Sequence, residues 1–214
     1  MTTDDDIRQR LLECGGQVFA ERGFEAANVR EICERAGVYS AAINYYFGGK
    51  ENFYKEALKR AHQCRLEQAP LPAWPAGTPP AEKLRAFIRV LTHRLLDKEA
   101  PAWFMQLMLR ELANPSEAGR ELVREFIKPH FELLVGILGE ILPPAVPAEK
   151  KHLIAFSIVG QCFYHRVAAP VITILVGKAE HKTYTPERVA DHIAEFTLAA
   201  LGREAANHTP QTVN

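Results

Sequence analysis

The chain has 214 residues, 47% hydrophobic and 24% charged, enough for a sizeable core in one large or two small domains, and its formal net charge of zero argues against indiscriminate binding to polyanions. Cysteines 14, 33, 64 and 162 form no CxxC pair and the eight histidines no HxxxH pair, which argues against a disulfide framework, a metal site or a metal cofactor. No apolar run follows a basic start, and Gln161, His165 and Arg166 interrupt the longest apolar stretch, so the expectation is a soluble, cytoplasmic chain with no membrane partner.

Ile7, Leu11, Leu12, Val18 and Phe19 make a first helical stripe, ended near Gly23-Phe24. Val29, Ile32, Cys33 and Ala36 repeat at i, i+3, i+4 and i+7, with Asn28 ahead and Glu31 three residues on as an Asn form of the capping box. Gly37 can take the left-handed conformation that ends this helix. The next segment buries Val38, Ile43 and Phe47 and leaves Ser40, Ala41, Asn44 and Tyr45 outside, before Gly48-Gly49 breaks it and Lys50 opens a helix reaching about Gln68. A helix, a tight turn at glycine and a short second helix form a helix-turn-helix.

Residues 69–80 are dense in proline and mark the domain boundary, as an ordered loop because Leu71 and Trp74 need cover. Helices are then expected from Ala81 to before Pro101 and over the nearly all-apolar Trp103–Leu109. A long run from Pro115 to Leu142 contains Pro129, which should kink or split it. Residues 148–169 form an apolar helix ended by Pro170, with a short segment at 171–176. A polar loop at 178–185 precedes a last helix that starts at Thr185-Pro186-Glu187 and ends at Gly202. The class is all-α with roughly eight to ten helices. Its expected divisions are a helix-turn-helix domain at 1–68, a loop at 69–80, a second helical domain at 81–203 and a disordered tail at 204–214.

Ala36-Gly37-Val38, Ile43, Tyr46-Phe47 and Lys50-Glu51 followed by Phe53 resemble the amino-terminal signature of the TetR family of transcriptional regulators. Gly160 to Arg166, with Asn44-Tyr45-Tyr46-Phe47, is similar to the CecR-like subgroup of that family. The resemblance implies an all-helical homodimer that binds a palindromic operator on double-stranded DNA and releases it when a small-molecule effector occupies the second domain. It implies no catalysis.

By the same resemblance, Asn28, Val29 and Arg30 open the first helix of the motif, near a phosphate and a base. Arg30 either reads guanine bidentately or is a solvated surface arginine. Tyr39, Ser40, Ala41, Ala42, Asn44 and Tyr45 belong to the recognition segment, and Tyr46 and Lys50 match phosphate-binding positions. Tyr39 stands where the family often has a capping Ser or Thr, and Asn44 where it often has Tyr, so operator sequence does not transfer from other members. Charge is the opposing point. Residues 1–60 hold nine Lys/Arg against ten Asp/Glu, a net of −1, with three acids at Asp4-Asp5-Asp6.

In the second domain, Trp103, Met105, Met108, Phe131, Gln161 and His165 are candidates to line a cavity for an uncharged or anionic aromatic effector. Ordinary core packing, with Gln161 and His165 at a helix seam, is the competing reading. The apolar helices at 148–169 and 186–201 are expected to pair with their symmetry mates in a dimer. Two other classes compete. One is a helical enzyme using His130 or His165 with Glu111, and the other is an interaction module that binds no DNA.

Overall fold

The computed structural model describes residues 3–96 and 102–207, which are helix, turn or loop throughout with no strand among them. Twelve α-helices and one π segment occur among the described residues. The excess over the expected eight to ten comes from short pieces, such as the four-residue helix Lys178–His181, too short to show a helical period.

The chain divides into two compact units, Met1–Glu67 with Lys98–Lys128, and Gln68–Asp97 with Pro129–Asn214. In the first, α1 (Asp4–Ala26) opens with a capping box in which the Thr3 hydroxyl accepts from the Asp6 N–H and Asp6 accepts from the Thr3 N–H. Asp4, Asp5 and Asp6 therefore make the first helical turn, where the helix dipole favours them. Gly23, at φ 78°, breaks the regular helix inside α1 as the sequence expects. Three further helices follow: α2 (Val29–Ala36), α3 (Ala42–Phe47) and α4 (Lys50–Gln68). Leu11, Val18 and Phe19 of α1 pack with Ile32 of α2, Ile43 and Phe47 of α3, and Phe53, Tyr54 and Leu58 of α4.

Helices α6 (Ala102–Ala113) and α7 (Glu117–Leu122) pack in this first compact unit, whereas the expected division groups them with 81–203. Adjacent glycines on α1 explain it. A Cβ on Gly15 would lie 2.2 Å from the Phe53 ring, and one on Gly16 would lie 2.4 Å from the Trp103 ring, so these glycines are the seats of two aromatic rings. Arg110 of α6 donates to the Ala20 and Glu21 carbonyls near the end of α1. Glu111 is buried and accepts the Tyr54 hydroxyl on one oxygen and the Ser116 N–H on the other, while the Ser116 hydroxyl caps α7. Burial, then that hydrogen bond, drives the Tyr54 phenol far above the ordinary tyrosine range.

The run through Pro129 neither splits nor ends. Instead α7 widens into a π segment (Val123–Ile127) before α8 (Lys128–Ile141), and the Lys128 N–H bonds the carbonyl of Val123, five residues back. Proline supplies no N–H to the carbonyl four residues earlier, and the π turn shifts the bonding register just ahead of it.

The second unit packs α5 (Pro80–Leu96), α8, α9 (Ala148–Val167) and α12 (Pro186–Asn207) around Leu84, Ile88, Leu134, Leu138, Ile158 and Ile193. Leu71 and Trp74 of the proline-rich loop lie against this core, as expected. Pro170 opens α10 (Ala169–Val176) rather than ending α9, in a bend of 75° after Val167. The expected polar loop at 178–185 contains the short α11 (Lys178–His181). Gly202 does not end α12, whose described part runs to Asn207, so residues 204–207 are helical. Of the expected tail, residues 208–214 lie outside the described residues. Among the described residues no single helix is long and apolar enough to cross a membrane.

Candidate nucleic-acid interface

The turn between α2 and α3 is fixed by backbone chemistry. Gly37 has φ 66°, its N–H reaches the Glu34 carbonyl, and the Val38 N–H reaches Cys33, the paired bonds of a Schellman ending. Gly48, at φ 73°, ends α3 in the left-handed conformation, and Lys50 starts α4 two residues later. Asn28 caps α2, but through the Arg30 N–H. The expected capping box is absent because the Glu31 carboxylate is taken by Arg22 at 2.8 Å and Arg35 at 2.7 Å.

Ile43 and Phe47 bury one side of α3 in the first unit's core, with Val38 partly covered. The other side is open. Tyr39 is 91% exposed and Tyr45 77%, and Ser40, Ala41 and Asn44 are exposed beside them. Asn28 and Arg30 are exposed at the start of α2, while Val29 and Ala42 are half-buried. Two large aromatics left in water have no core role to explain them. Arg30 pairs with Glu34 at 3.0 Å, one turn along α2, with both side chains mostly exposed. Such a pair is worth about 0.3–0.5 kcal/mol, little enough for the guanidinium to exchange partners.

Two candidates are less open than the sequence suggests. Lys50 donates to the Glu25 carbonyl at 3.1 Å with its ammonium 4.8 Å from the centre of the Phe24 ring. The Tyr46 hydroxyl donates to Asp4 at 2.9 Å, which holds its phenol above the usual tyrosine range. Some of the acids behind the net charge of residues 1–60 are paired within the fold, Glu56 with Arg8, and Glu21 and Glu31 with Arg35, whereas Asp4 stands beside α3.

The six proposed effector residues are not gathered in one compact unit. Trp103 lies over Gly16, and Met105 and Met108 are buried, all in the first unit. Phe131 stacks on Phe156 in the second unit, with ring centroids 5.0 Å apart. Gln161 and His165 line an open groove between α9 and α12 with Ser157, Tyr164 and His192. Burial first, then His192 and His181, lowers the His165 pKa from the ordinary histidine value. Glu111, the acid of the enzyme reading, has both oxygens committed to Tyr54 and Ser116. Among the described residues no group of three His, Cys, Asp or Glu is placed to hold a metal ion.

A family model described as bacterial regulatory proteins, tetR family, matches residues 11–57. A second, described as the C-terminal domain of the HTH-type transcriptional dual regulator CecR, matches residues 80–201, more than half of the chain. The chain belongs to the TetR family of transcriptional regulators. The HTH-type transcriptional repressor AcnR of Corynebacterium glutamicum is 41% identical over 61 residues, 28% of this chain and 32% of AcnR. The HTH-type transcriptional regulator BetI of Rhizobium meliloti is 31% identical over 147 residues, 67% of this chain and 69% of BetI. In fold, the chain is similar to AibR, solved in complex with isovaleryl coenzyme A and operator DNA, with a TM-score of 0.65 at 18% identity over 89% of this chain and 97% of AibR. The TetR and CecR models together span both the helix-turn-helix and most of the second unit.

Proposed function

We propose that this TetR-family member is a ligand-responsive repressor that binds a palindromic operator as a homodimer. The observation that carries the reading is the uncovered outer side of the helix-turn-helix, where Tyr39, Ser40, Ala41, Asn44 and Tyr45 stand exposed over a packed core. Arg30 and Asn44 are its base readers, and Tyr46 and Lys50 hold phosphates. A protein reading chromosomal DNA acts in the bacterial cytoplasm. Selection from a random duplex library tests the reading, with recovery of a two-fold symmetric sequence expected. On that duplex Lys50→Ala weakens binding to every sequence and lowers the salt slope by roughly one, because a phosphate contact carries no base information. A loss confined to particular base pairs would count against the phosphate role.

The dimer uses α9 and α12. Leu153, Phe156, Tyr164 and Val167 leave an exposed apolar line along α9, and Phe196 stands exposed on α12. Gln161 and His165 pass from the effector site to this seam. The wild-type protein is expected to sediment as a dimer at micromolar concentration, and Leu153→Asp with Phe196→Asp as a monomer. A dimer persisting in that double variant would place the seam elsewhere. A palindrome follows from such symmetry, with half-sites about 34–36 Å apart or a multiple of it.

The effector binds within residues 80–201, and it regulates by binding the DNA-competent and DNA-free states with different affinity. AibR, crystallised with an acyl coenzyme A, makes acyl thioesters a first class to screen. Trp103 serves the core over Gly16, so Trp103→Ala would report on stability rather than on effector binding alone.

A further inference from the structure

A hydrogen bond ties Tyr46, proposed above to hold a phosphate, to Asp4. It runs from the recognition helix to the first turn of α1, across 42 residues of sequence, at 2.9 Å. Asp6 is committed to the Thr3 cap, whereas Asp4 is exposed and reaches over to α3. The Tyr46 ring meets Tyr45 edge-on at 4.8 Å, and Tyr45 is one of the two aromatics left open to solvent. The bond therefore lies at the margin of the surface assigned above to DNA.

A phenol has one proton to donate. Given to Asp4, it is not available to a phosphate oxygen, and the carboxylate that accepts it is itself an anion beside the backbone's expected path. The geometry points to Asp4 as a built-in competitor of the DNA backbone. In the free protein Asp4 holds the Tyr46 hydroxyl, and on the operator the hydroxyl exchanges this acceptor for phosphate. Operator affinity is set lower than the helix-turn-helix alone would give. The raised Tyr46 pKa fits, since the phenol stays protonated and able to donate to either acceptor. The inference rests on the DNA-binding reading and goes beyond it. A purely structural clamp between α1 and α3 predicts the opposite sign, because releasing it would loosen the recognition helix and weaken binding.

The test is a double-mutant cycle on the duplex selected by the wild-type protein, followed by fluorescence anisotropy at fixed salt. Asp4→Asn, which keeps an acceptor but loses the charge that strengthens the bond, is expected to tighten binding roughly three- to tenfold. In the Tyr46→Phe background the same change should alter affinity by less than about twofold, because no proton remains to compete for. Weaker or unchanged binding by Asp4→Asn overturns the proposal. Equal tightening in both backgrounds also overturns it, leaving simple charge repulsion. Asp4→Ser repeats the cycle should Asp4→Asn fray α1, with circular dichroism checking helix content. Failure of the wild-type protein to select any duplex would instead sink the DNA reading itself.

Discussion

Ala41→Glu is expected to abolish specific operator binding, a loss on the order of a hundredfold or more, with folding stability unchanged. Ala41 is exposed, its side chain makes no capping bond, and it stands immediately ahead of α3. An acid at a helix start is neutral to favourable for the helix, since the dipole there attracts negative charge. The fold thus gives no reason for loss. DNA does. A methyl group lets the helix approach the groove, whereas a carboxylate adds bulk and one negative charge facing phosphates. Ala41→Ser, of nearly the same size and neutral, should retain most of the affinity. Anisotropy titrations with the selected duplex, alongside thermal melts, separate the two effects. Wild-type affinity in Ala41→Glu would move the interface off this surface.

Much of this surface was legible in the sequence because short-range rules govern it. The spacing of Val29, Ile32, Cys33 and Ala36, the glycine at 37 and the alternation around Ile43 and Phe47 each act within a few residues, and the turn forms as they require. Features set by distant partners were not legible. Glu31 satisfies the local pattern of a capping box, yet two arginines outside that pattern take its carboxylate. The acids at 4–6 read in the sequence only as net charge, yet one of them closes a cap and another reaches Tyr46 from 42 positions away. Trp103 and its neighbours have the composition of a ligand pocket. Gly16 on α1, invisible to any periodicity of α6, reveals that the Trp103 ring packs against the first unit's core. A signal was present, since Gly15-Gly16 inside a strong helix needs a packing reason. The π segment had a signal too, in Pro129, but proline marks a disturbance without saying which form it takes.

Glu111→Ala should produce the opposite phenotype to Ala41→Glu, a large loss of stability with no change at the proposed DNA contacts. The carboxyl group is buried between α4, α6 and the start of α7, where Tyr54 and Ser116 both donate to it. Its removal leaves a buried phenol and a backbone N–H without their acceptor, at about 1–3 kcal/mol each, and opens a small cavity besides. A total near 3 kcal/mol is expected. Tyr54→Phe removes only one donor and keeps the ring against Phe19, so it should cost nearer 1 kcal/mol. Glu111→Gln separates shape from chemistry. It fits the space, but an amide offers only one acceptor oxygen and would turn an N–H donor toward either Tyr54 or Ser116, so an intermediate loss is expected. Gly119 lies directly against this carboxylate, since a Cβ added there would overlap a Glu111 oxygen. Denaturant unfolding of the three variants measures the series. If Glu111→Ala unfolds within about 0.5 kcal/mol of wild type, the buried hydrogen bonds are not what fixes α4 to α6. The aromatic packing of Phe19, Phe53 and Tyr54 would then have to hold the first unit together alone.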